Sequence, residues 1–124
     1  MTNAQWPTGA AYLDGAFMPI AEAKIPVTDW GYRRSDVTYD VVSVWDGAFF
    51  KLDDHLKRFR NSMEHFRLQP KESNDDIRGV LHELVRRTGL RERRRRSSGN
   101  RAQCDKHQDT LHVRQPTTRT LEQA

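Results

Sequence analysis

Between Val37 and Lys51 the chain alternates like a strand, turns at Asp46-Gly47 and starts back through Ala48-Phe49-Phe50. It then becomes helical in pattern without a break. From Leu52 to Arg67 the apolar residues Leu52, Leu56, Phe59, Met63 and Phe66 fall within an arc of roughly 80° on a helical wheel, a single narrow stripe. A strand, a tight turn, a second strand and an amphipathic helix in direct succession leave few folds open, because the stripe must be buried against the sheet it follows. Arg58 lies on the flank of the stripe, where a guanidinium can lean toward a neighbouring cleft while the helix is anchored by its buried side.

The flanking segments extend the pattern. Tyr12 to Met18 carries Asp14-Gly15 at its centre and predicts a short hairpin, ended by Pro19. Beyond Pro70, Ser73 is a helix N-cap with Asp75 and Asp76 in the first turn. Ile77, Val80, Leu81, Leu84 and Val85 keep one face of that helix apolar, Arg86 and Arg87 fill its last turn, and Gly89 stops it. Two hairpins forming one small antiparallel sheet, packed with two helices, define an α+β domain over residues 11–90. Residues 1–10 read as a flexible lead.

Residues 91–124 differ in kind. They hold nine Lys or Arg against four Asp or Glu, so the formal charge of +4 is a property of this tail. Only six of its 34 residues are hydrophobic, and all eleven aromatics lie at or before Phe66. Such a composition buries too little apolar surface to offset the entropy of ordering, and predicts a basic, disordered tail. Its lone Cys104 supports no disulfide or metal-binding cysteine cluster, and a reducing cytoplasm is the expected setting. His55, His65, Asp53 and Asp54 show no metal-ligand spacing. The absence of a long apolar run or a basic-then-apolar leader argues against a membrane span or secretory signal.

Asp29-Trp30-Gly31, the run Arg34-Ser35-Asp36-Val37-Thr38-Tyr39-Asp40 through Ser43-Val44-Trp45-Asp46-Gly47, and Leu52-Asp53-Asp54-His55-Leu56-Lys57-Arg58 closely resemble the small N-terminal domain of class IV aminotransferases. These are the fold-type IV pyridoxal phosphate (PLP) enzymes that include branched-chain and D-amino acid aminotransferases. Ser-Asp-x-Thr-Tyr-Asp-x-x-Ser-Val-Trp-Asp-Gly is most similar to the (R)-selective amine transaminases, although Arg34 stands where that branch usually has histidine. The resemblance covers residues 11–90 and implies a truncated small domain.

It implies specific chemistry. The arginine of His-Leu-x-Arg grips the PLP phosphate, and here that is Arg58; a guanidinium can hold two phosphate oxygens at once. Without the resemblance Arg58 reads as a solvated helix residue paired with Asp54 one turn earlier. Tyr39 and Val41 share a strand face and correspond to substrate-pocket positions, with Arg34 nearby; ordinary core packing is the alternative for both. Asp29 and Gly31 are structural turn residues, and His55 holds local structure. In the family the lysine that forms the Schiff base with PLP belongs to a larger C-terminal domain, and Lys24, Lys51, Lys57, Lys71 and Lys106 match no such position. The intact protein is therefore expected to transfer an amino group between an amine or amino acid and a 2-oxo acid, as a homodimer, and this chain to be inactive alone.

Two other readings compete: a non-catalytic dimerisation module, and weak nonspecific nucleic-acid binding through Arg93–Arg96. The tail lacks the aromatic platforms or groove-reading helix of a specific nucleic-acid binder. The sheet needs a further strand soon after Leu90, yet Arg93 to Asn100 has almost no β-former. Pattern and resemblance lapse together there, which suggests a change of reading frame or a retained intron near codon 92, with a solvated natural tail as the alternative. Translating the other two frames of the genomic DNA past that codon should reveal an alternating apolar strand; its absence from both would refute the idea.

Overall fold

The computed structural model describes residues 4–90 and the backbone of residues 110–114. Strands β1 (Ala10–Leu13) and β2 (Ala16–Pro19) pair antiparallel, with Tyr12 opposite Phe17 and their rings 4.8 Å apart. Asp14 and Gly15 both take positive φ, 51° and 83°, the left-handed geometry of a two-residue hairpin turn. After a 3-10 turn at Ile20–Glu22, a short helix α1 (Trp30–Arg34) is capped by the Asp29 carboxylate, which accepts from the Tyr32 amide at 3.0 Å. Sequence reading placed only a turn at Asp29-Trp30-Gly31; the cap extends it into helix.

Strand β3 (Tyr39–Trp45) turns at Asp46-Gly47 into β4 (Ala48–Phe49). Lys51, at φ 50°, redirects the backbone into α2 (Leu52–His65). Helix α3 (Asn74–Thr88) begins with a capping box: the Ser73 hydroxyl accepts from the Asp76 amide while the Asp76 carboxylate accepts from the Ser73 amide. Gly89 ends it in the left-handed region at φ 68°, and a Cβ there would lie 2.8 Å from that of Ala4.

The α+β layout holds, but among the described residues the strands form two sheets where one was expected. β1 and β2 stand alone; β4, β3 and β5 (Thr110–Arg114) form the second sheet, with β3 in the centre. β5 pairs with β3 from Tyr39 to Ser43 and β4 with Val44 and Trp45, and the first hairpin pairs with neither. That hairpin is fastened to α3 instead. The Arg87 guanidinium lies 4.5 Å from the Phe17 ring centroid and 5.0 Å from that of Trp6, and the Trp6 amide donates to the Arg87 carbonyl at 2.9 Å. The lead to β1, expected to be flexible, is held at Trp6 by these contacts.

β5 corrects the expectation of a tail without regular structure for five residues: Ser43 to Tyr39 pair antiparallel with Thr110 to Arg114, Val42 opposite Leu111. Averaging composition over the whole tail hid the β-forming run Thr-Leu-His-Val-Arg. The rest of the tail, including Arg93–Arg96 and Cys104, lies outside the described residues, as does nearly all of the segment assigned to a frame change.

The core sits between β3 and the two long helices: Val42, Leu52, Leu56, Phe59, Met63, Ile77 and Leu81, with Leu84 and Val85 buried beside it. Phe66 is a correction to the stripe. The helix ends at His65, so Phe66 becomes its C-cap and is 49 % exposed, while Leu68 packs against the core. Phe59→Ala should cost about 3–5 kcal/mol and leave little of the fold, whereas Ser73→Ala should cost about 1 kcal/mol; urea unfolding followed by circular dichroism checks the difference.

Candidate active site

The pleat of β3 sends alternate side chains to opposite faces. Thr38, Asp40 and Val42 go inward and are buried, while Tyr39 and Trp45 go outward and are 68 % and 69 % exposed. Asp40 is thus a carboxylate on the core face of a strand, where an unpaired charge is costly. Helix α2 crosses that face and supplies the partners from one side, three residues apart.

Arg58 grips Asp40 with two parallel bonds, Nε donating to Oδ2 at 2.8 Å and Nη2 to Oδ1 at 2.6 Å. His55 Nδ1 lies 2.9 Å from the same Oδ1, and the Val41 amide donates to it at 2.7 Å. The Arg58 guanidinium holds the Asp40 carboxyl well below its ordinary value, at about 2, and the His55 and Val41 bonds act in the same direction against the effect of burial. An ionised carboxylate only accepts, so His55 donates through Nδ1. The contact of 3.2 Å between Arg58 Nη2 and His55 Nδ1 is then two donors sharing one oxygen.

Arg58 keeps a second face. Its side chain is 65 % exposed, and the side-on Nε/Nη2 edge is the one turned to Asp40. On the end-on edge, Nη1 and the second N–H of Nη2 make no hydrogen bond to an acceptor among the described residues. Such an edge matches two oxygens of a tetrahedral or planar oxyanion.

The residues singled out from sequence separate into two groups. Arg58 has the flank position expected of it, but its partner is Asp40 on β3, not Asp54 on its own helix; a bidentate grip on a buried carboxylate outcompetes a solvated pair one turn away. Tyr39 lies on the outer face of β3 and Val41, on the same face, is half-buried, so neither packs in the core and the strand separates both from the Arg58 network. Arg34 is exposed at the end of α1, its guanidinium 5.3 Å from the Trp30 ring centroid. Asp40 itself was missed. Its one signal was parity: it shares a strand face with Val42 and Val44.

Residues 38–119, a stretch that contains the Asp40–His55–Arg58 network, match the family described as amino-transferase class IV, so the likeness runs past Leu90, where it was expected to end. The chain belongs to that family. It is 29 % identical over 73 residues to the D-alanine aminotransferase of Bacillus licheniformis, covering 59 % of this chain and 26 % of that protein. It is 32 % identical over 74 residues to that of Staphylococcus epidermidis, covering 60 % and 24 %. Its structure is similar to the T.th. branched-chain amino acid aminotransferase complexed with N-(5'-phosphopyridoxyl)-L-glutamate, at a TM-score of 0.61 and 28 % identity, covering 65 % of this chain and 28 % of that one. The class IV chain described here thus spans about a quarter of the length of these relatives.

The lowered pKa of Asp40 has a pH signature. Its contribution to stability is complete above the ordinary carboxyl value of 3.8 and is lost as the pH falls through about 2. Glu83, held at about 2 by Arg86 and Arg87, loses its contribution over the same window. Asp40→Asn should cost on the order of 2 kcal/mol at pH 7 and should flatten, without abolishing, the decline in urea midpoint between pH 4 and pH 2. An unchanged acid limb in that variant would show the pairing to be energetically idle.

Proposed function

We propose that this chain is the phosphate-gripping small domain of a PLP-dependent transaminase, and that Arg58 is the residue that holds the phosphate. One observation carries the reading: within a class IV sequence, the arginine of His55-Leu56-Lys57-Arg58 is fixed by a buried carboxylate on one edge and presents its other edge outward. The donor set suits the group. A phosphate is largely dianionic near neutral pH and takes a guanidinium bidentately, and a planar donor already held in place loses little freedom on binding it.

When bound, pyridoxal phosphate supplies the electron sink that lets an amino group move between an amine or amino acid and a 2-oxo acid. The roles of this chain are binding and enclosure. Arg58 sets the position of the phosphate. The outer face of β3 offers Tyr39, a phenol that can donate a hydrogen bond, and Val41, a branched apolar side chain that limits the size of one sub-pocket; Arg34 offers a cation for a substrate carboxylate. The sequence of β3 favours (R)-amines as donors. The covalent lysine is assigned outside these residues, so the chain alone is read as inactive. The exposed Tyr39 and Trp45, on one strand face, support association into a homodimer in which apolar surface is covered. A single cysteine in 124 residues supports a cytoplasmic setting.

Titrating the isotope-labelled chain with pyridoxamine 5'-phosphate should give a weak complex whose shifts centre on Arg58, with unphosphorylated pyridoxamine giving none. Arg58→Ala should weaken it at least tenfold and Lys57→Ala less than twofold; equal loss in both would reduce Arg58 to nonspecific charge. The chain supplemented with PLP should show no consumption of an (R)-amine with pyruvate, and turnover would place the catalytic amine within it.

A further inference from the structure

Asp40 carries a negative charge directly beside the arginine assigned to an anion, an arrangement that costs affinity if Asp40 does nothing else. Like charges on neighbouring edges of one side chain repel, so a carboxylate so placed works against any phosphate that Arg58 receives. Yet every contact around it serves to keep it there and charged. Arg58 Nε and Nη2, His55 Nδ1 and the Val41 amide all donate to it. His55, itself on α2, is half-buried, so its bond ties the carboxylate to the helix independently of Arg58.

We propose that Asp40 is a positioning residue for phosphate recognition, acting through Arg58. By occupying the side-on Nε/Nη2 edge, it fixes both the rotamer of a long side chain and the roll of its guanidinium plane, and leaves the end-on Nη1/Nη2 edge aimed outward as the phosphate clamp. An unheld arginine with this exposure samples many rotamers, and gathering them on binding costs affinity. His55 and the Val41 amide hold the holder. The inference rests on Arg58 being the phosphate ligand, and it adds that phosphate and carboxylate are bound to two adjacent edges of one guanidinium, sharing Nη2, at the same time.

The two possible effects of Asp40 have opposite signs, which makes the test decisive. If Asp40 is only a neighbouring charge, Asp40→Asn removes a repulsion and tightens phosphate binding. If it positions Arg58, the same change, which keeps the shape and lowers the grip, weakens the binding of pyridoxamine 5'-phosphate to the 124-residue chain about tenfold, with the fold verified by circular dichroism. Tighter or unchanged binding overturns the proposal. A measurement on the unaltered chain does not depend on the variant folding: the Arg58 Nε–H resonance should remain slow to exchange and nearly unshifted through a titration with pyridoxamine 5'-phosphate or inorganic phosphate, while the Nη protons shift. Loss of Nε–H protection on saturation would show the arginine leaving Asp40 for the anion, and would also overturn it. Should Arg58→Ala leave affinity untouched, the assignment of Arg58 fails first; should it abolish binding while Asp40→Asn does not weaken it, only the positioning role fails.

Discussion

A carboxylate on the inside of a strand has to be answered, and the answer given to Asp40 organises this fold. Burial alone would drive its proton back on; four donors keep it charged, and two of them belong to one guanidinium. Because Arg58 and His55 sit one turn apart on α2, the bonds fix the axial position of that helix against β3 as well as its distance. Apolar packing within the cluster that holds Phe59 and Val42 tolerates sliding by a fraction of a turn. A bidentate pair does not, since both oxygens must be met at once. Hydrophobic burial brings helix and sheet together, and the ion pair decides where along each other they stop.

A comparable division of labour appears at the other end of the domain. α3 is started by the Ser73–Asp76 capping box and stopped by Gly89, both local devices. Its docking to the separate β1–β2 hairpin runs through Arg87, whose guanidinium faces Trp6 and Phe17 while its Nε donates to Glu83 at 2.6 Å. Guanidinium groups, planar and weakly hydrated, serve in both places as connectors between elements that share no strand pairing.

What could be read from the sequence was what depends on near neighbours. Asp14-Gly15 and Asp46-Gly47 specify turns by their own backbone preferences, Ser73 and Asp76 cap across three residues, and the stripe from Leu52 to Met63 follows from helical spacing. The failures are those of long-range choice. Nothing local says that β3 lies between β4 and β5, which is why the first hairpin was assigned to its sheet. Composition averaged across the tail concealed Thr110–Arg114, and a helix end misplaced by two residues moved Phe66 from the surface to the core. In the site, Arg58 was recognisable through its motif, but its partner lies eighteen positions away. Alternation told which residues of β3 share a face without telling which face is inside, so Asp40 went unread beside the Tyr39 and Val41 that were named.

The two-sidedness of β3 also makes its sides separately editable. Positions 39, 41 and 45 contribute little to what lies beneath, so their side chains are free to change in size and polarity while the fold keeps its footing through 38, 40 and 42. Insertion or deletion of a single residue in that strand has the contrary effect: it exchanges the two faces, turns the acid outward and a tyrosine in, and dismantles core and arginine anchor in one stroke. Substitution is thus the cheap route to variety along this strand, and a change of length the forbidden one.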